Sequence, residues 1–153
     1  MAANYFTQHL TRMESMVVIP KSDLQKGMVI RTKYQTIDEG LKEYFFLILN
    51  PFYSGDGKVH ALSLNEFTVL QFMRIAKQTN IRIIPKYKKR ALDIPKLIME
   101  QSSYRFYMGR ILGGGREIKR FYNNSYRTLF PDKMKLAFLI DYKFDPDVKL
   151  ITS

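Results

Sequence analysis

The stretch from Tyr44 to Leu64 constrains the fold more than any other part of the chain. It opens with the uninterrupted apolar run Tyr44–Leu49, which is too short for a helix of ordinary length and is typical of a strand buried on both faces. Pro51 ends the run, because proline has no N–H to donate to a neighbouring strand. The segment Ser54–Gly57 predicts a turn, after which Val59–Leu62 resumes an apolar alternation. The stretch therefore predicts a β-hairpin at the centre of a small sheet or barrel.

Other strand-like and helix-like segments surround this hairpin. Four more strands are predicted, at Met16–Ile19, Met28–Tyr34, Ile81–Ile84 and Met134–Phe144. Ser63 begins the capping-box pattern S-x-x-E, which predicts a helix that runs to about Gln78. Two shorter helices are predicted over Lys96–Ser102, where Asp93 supplies a capping carboxylate, and over Arg116–Tyr122.

Together these elements predict an α+β fold in a single domain, residues 16–153. Residues 16–84 are expected to form a small antiparallel, partly closed β-barrel. Residues 85–133 are expected to form a basic helical and loop region, and residues 134–144 a strand that returns to the sheet. Residues 1–15 have little pattern and are expected to form an N-terminal arm that becomes ordered against a partner.

The positive charge of the chain is concentrated in its second half. The formal net charge is +11, and the span from Arg82 to Lys135 holds fourteen Lys or Arg against four Asp or Glu, a net charge of +10. A polyanion or a strongly acidic protein surface is the natural partner of such a segment. Aromatic residues are interleaved with these cations, and aromatic faces can stack on unpaired bases. The predicted contact residues are Lys86, Lys88, Lys89, Arg90, Arg105, Arg110, Arg116, Lys119, Arg120, Tyr126 and Arg127.

Two loops in this basic half have compositions that suit binding. Gly113–Gly115 precedes Arg116, so its backbone N–H groups could cradle an anion, but a flexible hinge or hairpin tip explains the glycines better. The loop Asn123–Met134 is rich in residues that hydrogen-bond their own backbone, which indicates an ordered conformation. Within that loop, Tyr126 and Arg127 are the residues that we expect to contact a partner, and a purely architectural role for the loop explains its composition equally well.

The composition excludes several kinds of chemistry. The chain has no cysteine, which excludes disulfides, thiolate catalysis and cysteine-ligated zinc, and its two histidines are too few for an all-histidine metal site. His60 lies near Asp56 and Glu66 in sequence, but a packed structural histidine explains it better than acid–base catalysis. We therefore predict no catalytic residue, no metal and no cofactor. No apolar run reaches the roughly 18–20 residues of a membrane span.

Two resemblances add to these inferences. The hairpin LILNPFYSGDGKVHALSLNEF and the segment NNSYRTLFPDKM resemble short proteins of large tailed bacteriophages, which implies a virion structural or DNA-associated role. The order of the early strands resembles an SH3-like barrel, the fold of ribonuclease toxins from bacterial toxin–antitoxin pairs, but the arginine–acid pattern of those toxins is absent. A shared fold does not transfer an activity.

The leading functional prediction is a non-enzymatic bacteriophage virion protein. It would contact other virion proteins in an oligomeric assembly, with packaged DNA as a further partner, and would be assembled in the host cytoplasm. The alternative is a nucleic-acid-binding protein of phage replication or transcription, and a small ribonuclease is a distant third.

Overall fold

The fold is a sheet built from short antiparallel strands. The computed structural model describes residues 16–38, 40–51, 57–67, 72, 76, 79–93 and 125–141. The strands are β1 (Met16–Ile19), β2 (Val29–Thr36), β3 (Gly40–Asn50), β4 (Val59–Ser63), β5 (Asn80–Ile84), β6 (Lys89–Asp93), β7 (Tyr126–Leu129) and β8 (Ala137–Ile140). They hold 59% of the described residues, and no helix among those residues reaches seven residues.

Six of the strands form one sheet in the order β1-β8-β2-β3-β4-β7, with every neighbouring pair antiparallel. Strand β8, the last of the described strands in sequence, pairs with both β1 and β2. Strands β5 and β6 form a separate two-stranded hairpin. Because β1 and β7 lie at opposite edges and do not pair with each other, the described sheet is open.

The predicted α+β fold with a partly closed barrel and a basic helical extension is therefore wrong. Where residues 85–133 are described, they form a turn, strand β6, strand β7 and a short 3-10 turn at Pro131–Lys133. The capping-box pattern is followed by the 3-10 turn Leu64–Glu66, and Ser63 makes no side-chain cap because it is a fully buried residue of β4, paired with Phe46. Farther along the helix predicted to run to about Gln78, the described residues Phe72 and Ala76 are helical.

Several predicted segments lie outside the described residues. These are the N-terminal arm 1–15, the helices over 96–102 and 116–122, and the glycine run 113–115. Of the helix predicted to follow Ser63, only isolated residues beyond position 67 are described. The strand prediction at Met16–Ile19 is confirmed, and β8 lies within the predicted strand 134–144.

Strand β3 is buried on both faces, as its apolar run predicts. Tyr44, Phe46 and Ile48 point to one face, and Phe45 and Leu47 point to the other, and all five are at most 4% exposed. The first face packs into a hydrophobic core that contains residues of all seven other described strands, including Ile84 and Ala91 of the β5–β6 hairpin. Full burial of a side chain as large as phenylalanine stabilises a fold by about 2–3 kcal/mol.

Gly27 joins the β5–β6 hairpin to the sheet. Its N–H donates to the Ile48 carbonyl at 2.6 Å, and its own carbonyl accepts the Leu92 N–H at 3.0 Å. Its φ of +84° lies in the left-handed region, and a Cβ atom there would lie 1.7 Å from the Leu92 carbonyl oxygen. Only glycine therefore lets β6 approach this closely.

In the described part of the chain, no helix is long and apolar enough to cross a membrane.

Candidate functional site: a basic aromatic cleft

Two of the predicted contact residues hold the β5–β6 hairpin in place. Lys86 Nζ lies 2.7 Å from a carboxylate oxygen of Asp23. Arg90 donates from its backbone N–H and its guanidinium to the Asp141 carboxylate, with N–O distances of 3.1–3.2 Å. Both cations are therefore neutralised within the chain, so their contribution to an external polyanion surface is small.

The Asp23 carboxylate forms the centre of a small polar cluster. It accepts hydrogen bonds from Lys86 and from the Tyr87 hydroxyl, which hold the pKa of Asp23 below its usual value. The hydrogen bond to Asp23 raises the pKa of Lys86 and of Tyr87 in turn. Burial lowers the pKa of the nearby Arg82 guanidinium, which donates to Gln25 and to the Lys26 carbonyl. This cluster fastens the hairpin to the chain segment before β2.

The remaining predicted contact residues fall into three groups. Lys88 is exposed in the β5–β6 turn, and Lys89 is half-buried at the start of β6. Five others lie outside the described residues: Arg105, Arg110, Arg116, Lys119 and Arg120. Tyr126 and Arg127 lie on β7, at one edge of the sheet.

Next to β7 the structure forms a cleft of about 280 Å³, which we call the basic aromatic cleft. Its lining residues are Tyr34, Gln35, Thr36, Ile37, Asp38, Tyr44, Phe46, Arg127, Thr128, Leu129, Phe130 and Lys133. Tyr44 and Phe46 stack with their ring centroids 5.2 Å apart, and Tyr34 meets Phe46 edge-on. All three rings are at most 7% exposed, so they form the floor of the cleft.

Phe130 forms an exposed wall of the cleft. Its side chain is 46% exposed, and its backbone N–H donates to the Tyr34 hydroxyl at 2.8 Å. Lys58 and Lys133 each place their Nζ about 5.5 Å from the centre of its ring, at 5.5 and 5.4 Å. An exposed aromatic ring between two ammonium groups combines a stacking surface with two positive charges.

Arg127 supplies a guanidinium to the same cleft. Its Nε is buried and has no hydrogen-bond partner among the described residues. A buried guanidinium N–H without an acceptor is costly, and an anionic oxygen from a ligand would satisfy it. The described lining contains one acidic residue, Asp38, and two basic residues, Arg127 and Lys133.

Tyr126 and His60 lie on the opposite face of the sheet. Strand register pairs Arg127 with Ala61, a residue of the core on the cleft side, and pairs Tyr126 with Leu62, which points the other way. The Tyr126 hydroxyl lies 3.0 Å from His60 Nδ1, and His60 is only 7% exposed. The structure thus brings only Arg127 of the predicted pair into the cleft, and it places His60 away from it.

The sequence did not reveal which residues line the cleft together with Arg127. Tyr34 and Tyr44 are ten positions apart and meet because β2 and β3 pair, and Phe130 and Lys133 belong to the loop predicted to be ordered. The alternation of Tyr34 with exposed residues along β2 was the available signal.

Within the described ranges, no group of three His, Asp or Glu side chains could hold a metal ion. No protein-family model, curated protein or solved structure matches this chain.

Proposed function

We propose that this chain is a non-enzymatic binding protein that holds single-stranded nucleic acid at the basic aromatic cleft. The observation that carries the proposal is that Arg127, whose buried Nε lacks a partner among the described residues, lines a cleft that also contains the exposed ring of Phe130. A phosphate oxygen is the acceptor that a guanidinium binds best. An unpaired base adjacent to that phosphate can stack on Phe130.

The size and openness of the surroundings favour a single strand over a duplex. A cleft of about 280 Å³ lies at the small end of ligand sites, which suits one nucleotide unit at a time. Stacking requires a base that is free of its partner strand, and the ring of Phe130 offers a flat surface for one. The Nζ atoms of Lys58 and Lys133 lie 5.5 and 5.4 Å from the centre of that ring, so they add positive charge next to the stacking surface.

Binding to labelled single-stranded and duplex oligonucleotides tests this proposal, measured by fluorescence anisotropy across about 50–300 mM salt. We expect tighter binding of the single strand. Each neutralised phosphate contributes a slope of about −0.7 in log K against log salt, so Lys133→Gln should reduce the slope by about 0.7. Phe130→Ala should weaken binding by about 1–3 kcal/mol with little change in slope, because it removes stacking.

Arg127→Gln is the central variant, and Lys88→Gln is its matched control because Lys88 is exposed in the β5–β6 turn and does not line the cleft. Arg127→Gln should abolish most binding, and Lys88→Gln should leave it nearly unchanged. Charge reversal at Arg90 would be a poor probe, because it would break the structural ion pair with Asp141. No binding at 50 mM salt, or equal binding by the Arg127 and Lys88 variants, would overturn the proposal.

A virion structural role is the second candidate. Exposed apolar side chains favour it, because contiguous apolar surface commonly marks a protein interface. Among the described residues the large exposed ones are Met16, Val18, Ile37, Leu41, Ile83, Phe130 and Leu136. A virion protein should co-sediment with purified phage particles in a fixed ratio to the capsid protein. Its absence from washed particles would remove this candidate.

A further inference from the structure

A second surface lies on the face of the sheet opposite the basic aromatic cleft. Strand register aligns Val18, Phe138, Arg31 and Phe45 in one row across β1, β8, β2 and β3. Arg31 and Phe45 alternate with Ile30 and Phe46, which point into the core on the cleft side, so this row faces the other way. The two surfaces are therefore separated by the thickness of the sheet.

This surface contains a groove of about 260 Å³, which we call the β8 groove. Its lining residues are Arg31, Thr32, Lys33, Glu43, Lys135, Leu136 and Phe138. Leu136 is 65% exposed, and Val18 beside Phe138 is 49% exposed. Large apolar side chains that are exposed to solvent along a groove are typical of a protein interface, where apolar side chains of a partner cover them.

The charge around the groove is positive. Arg31 is paired with Glu43 at 2.8 Å and lies 5.6 Å from the centre of the Phe45 ring, so its charge is already balanced. Lys33 and Lys135 are exposed and form no ion pair with any described residue. The Lys135 N–H donates to the Lys33 carbonyl at 2.9 Å, which fixes the two lysines side by side on the rim. The groove is thus complementary to an apolar side chain flanked by carboxylates.

The neighbouring strand offers backbone groups as well. Strand β1 is an edge of the described sheet, paired on one side with β8. Alternate N–H and C=O groups of an edge strand point away from the sheet and can pair with an added chain. An extended segment that lies along this edge would place every second side chain on the face that carries Val18 and Phe138.

We propose that the β8 groove docks an extended segment of a partner protein in which apolar residues alternate with Asp or Glu. The apolar side chains pack on Leu136 and Phe138, and the carboxylates meet Lys33 and Lys135. This proposal is independent of the nucleic-acid proposal, because it uses different residues on the other face.

Peptide binding tests the proposal with two fluorescein-labelled eight-residue probes, measured by anisotropy against the full chain. One probe alternates Glu with Val and Leu, and the other replaces each Glu by Lys. We expect the acidic probe to bind at least tenfold more tightly than the basic one. Leu136→Ser should weaken its binding at least fivefold, and the double change Lys33→Glu with Lys135→Glu should reverse the preference between the probes.

Two controls separate this surface from others. Lys88→Glu makes the same charge change in the exposed hairpin turn and should leave the preference intact, and Arg127→Gln should leave peptide affinity unchanged. All of these positions except Arg127 are exposed, so thermal unfolding of the variants should match the parent chain. Equal binding of both probes, or an unchanged preference after reversal at Lys33 and Lys135, would overturn the proposal. Loss of oligonucleotide binding in that double variant, with peptide binding intact, would assign the surface to nucleic acid instead.

Discussion

Replacing Gly27 by alanine should destabilise the protein strongly. The φ of +84° costs a residue with a Cβ about 1–2 kcal/mol. The new Cβ would lie 1.7 Å from the Leu92 carbonyl oxygen and 2.8 Å from the Leu92 nitrogen, so β6 must move away. That movement breaks the Leu92 N–H to Gly27 carbonyl bond, worth about 0.5–1.5 kcal/mol, and disturbs core packing at a cost of about 1–3 kcal/mol. The total is about 3–6 kcal/mol.

Urea unfolding followed by circular dichroism measures this loss. With a slope of about 2 kcal/mol/M, the midpoint should fall by about 1.5–3 M. Gly40→Ala is the matched control, because Gly40 also has a positive φ, +67°, but no described atom lies within 4 Å of its Cβ position. It should cost only the backbone contribution, about 1–2 kcal/mol. If Gly27→Ala costs no more than Gly40→Ala, the close approach of β6 to Gly27 is not present in solution.

Two further changes test the contacts that hold the hairpin and the cleft wall. The pKa of Asp23 is lowered in the folded protein, so its contribution to stability is present above the ordinary carboxyl pKa of about 4 and is lost as the pH falls through the lowered value. Asp23→Asn should therefore remove this part of the acid dependence of unfolding. An unchanged pH profile of unfolding would refute this prediction. Tyr34→Phe removes the hydroxyl that accepts the Phe130 N–H, so it should lower the free energy of unfolding in urea by about 0.5–1.5 kcal/mol and weaken oligonucleotide binding. A variant that binds as tightly as the parent chain would show that Phe130 needs no such anchor.

The sequence was sufficient for the strands whose own composition specifies them. The apolar run of β3 and the alternation of β4 depend on no distant residue. Strand β3 contains the predicted Tyr44–Leu49 but begins earlier, at Gly40, and β4 contains the predicted Val59–Leu62. Strand β6 reads KRALD and has no such pattern. It becomes a strand because it pairs with β5 and because Leu92 bonds to Gly27, and neither contact is visible in a local window.

The predicted cap at Ser63 is not formed, for a related reason, although Phe72 and Ala76 in the predicted helix are helical. The S-x-x-E pattern is a local signal, and it competes with the burial of Ser63 at the end of a central strand. Burial of a whole strand outweighs a single cap, which contributes about 1 kcal/mol. The sequence therefore indicates which segments are apolar more securely than it indicates which local motif is used.

The candidate site was partly predictable. Arg127 was identified by its position in an ordered basic loop, but its partner residues were set by strand register. Tyr34 pairs with Lys42, so Tyr44 becomes its diagonal neighbour on the same face, and this depends on the length of the β2–β3 turn. Tyr126 was identified for the same reason as Arg127, and strand alternation placed it on the opposite face.

The alternation that separates Tyr126 from Arg127 also separates the two proposed surfaces. The segment from Phe130 to Leu136 contributes Phe130 and Lys133 to the basic aromatic cleft, and it contributes Lys135 and Leu136 to the β8 groove. The Phe130 N–H donates to the Tyr34 hydroxyl, and the Lys135 N–H and carbonyl are bonded to Lys33 and Thr32, so each end of the segment has its own anchor on β2. We therefore expect the peptide affinity to change less than twofold when the cleft is saturated with oligonucleotide. A tenfold change would mean that this segment moves as a unit and couples the two faces.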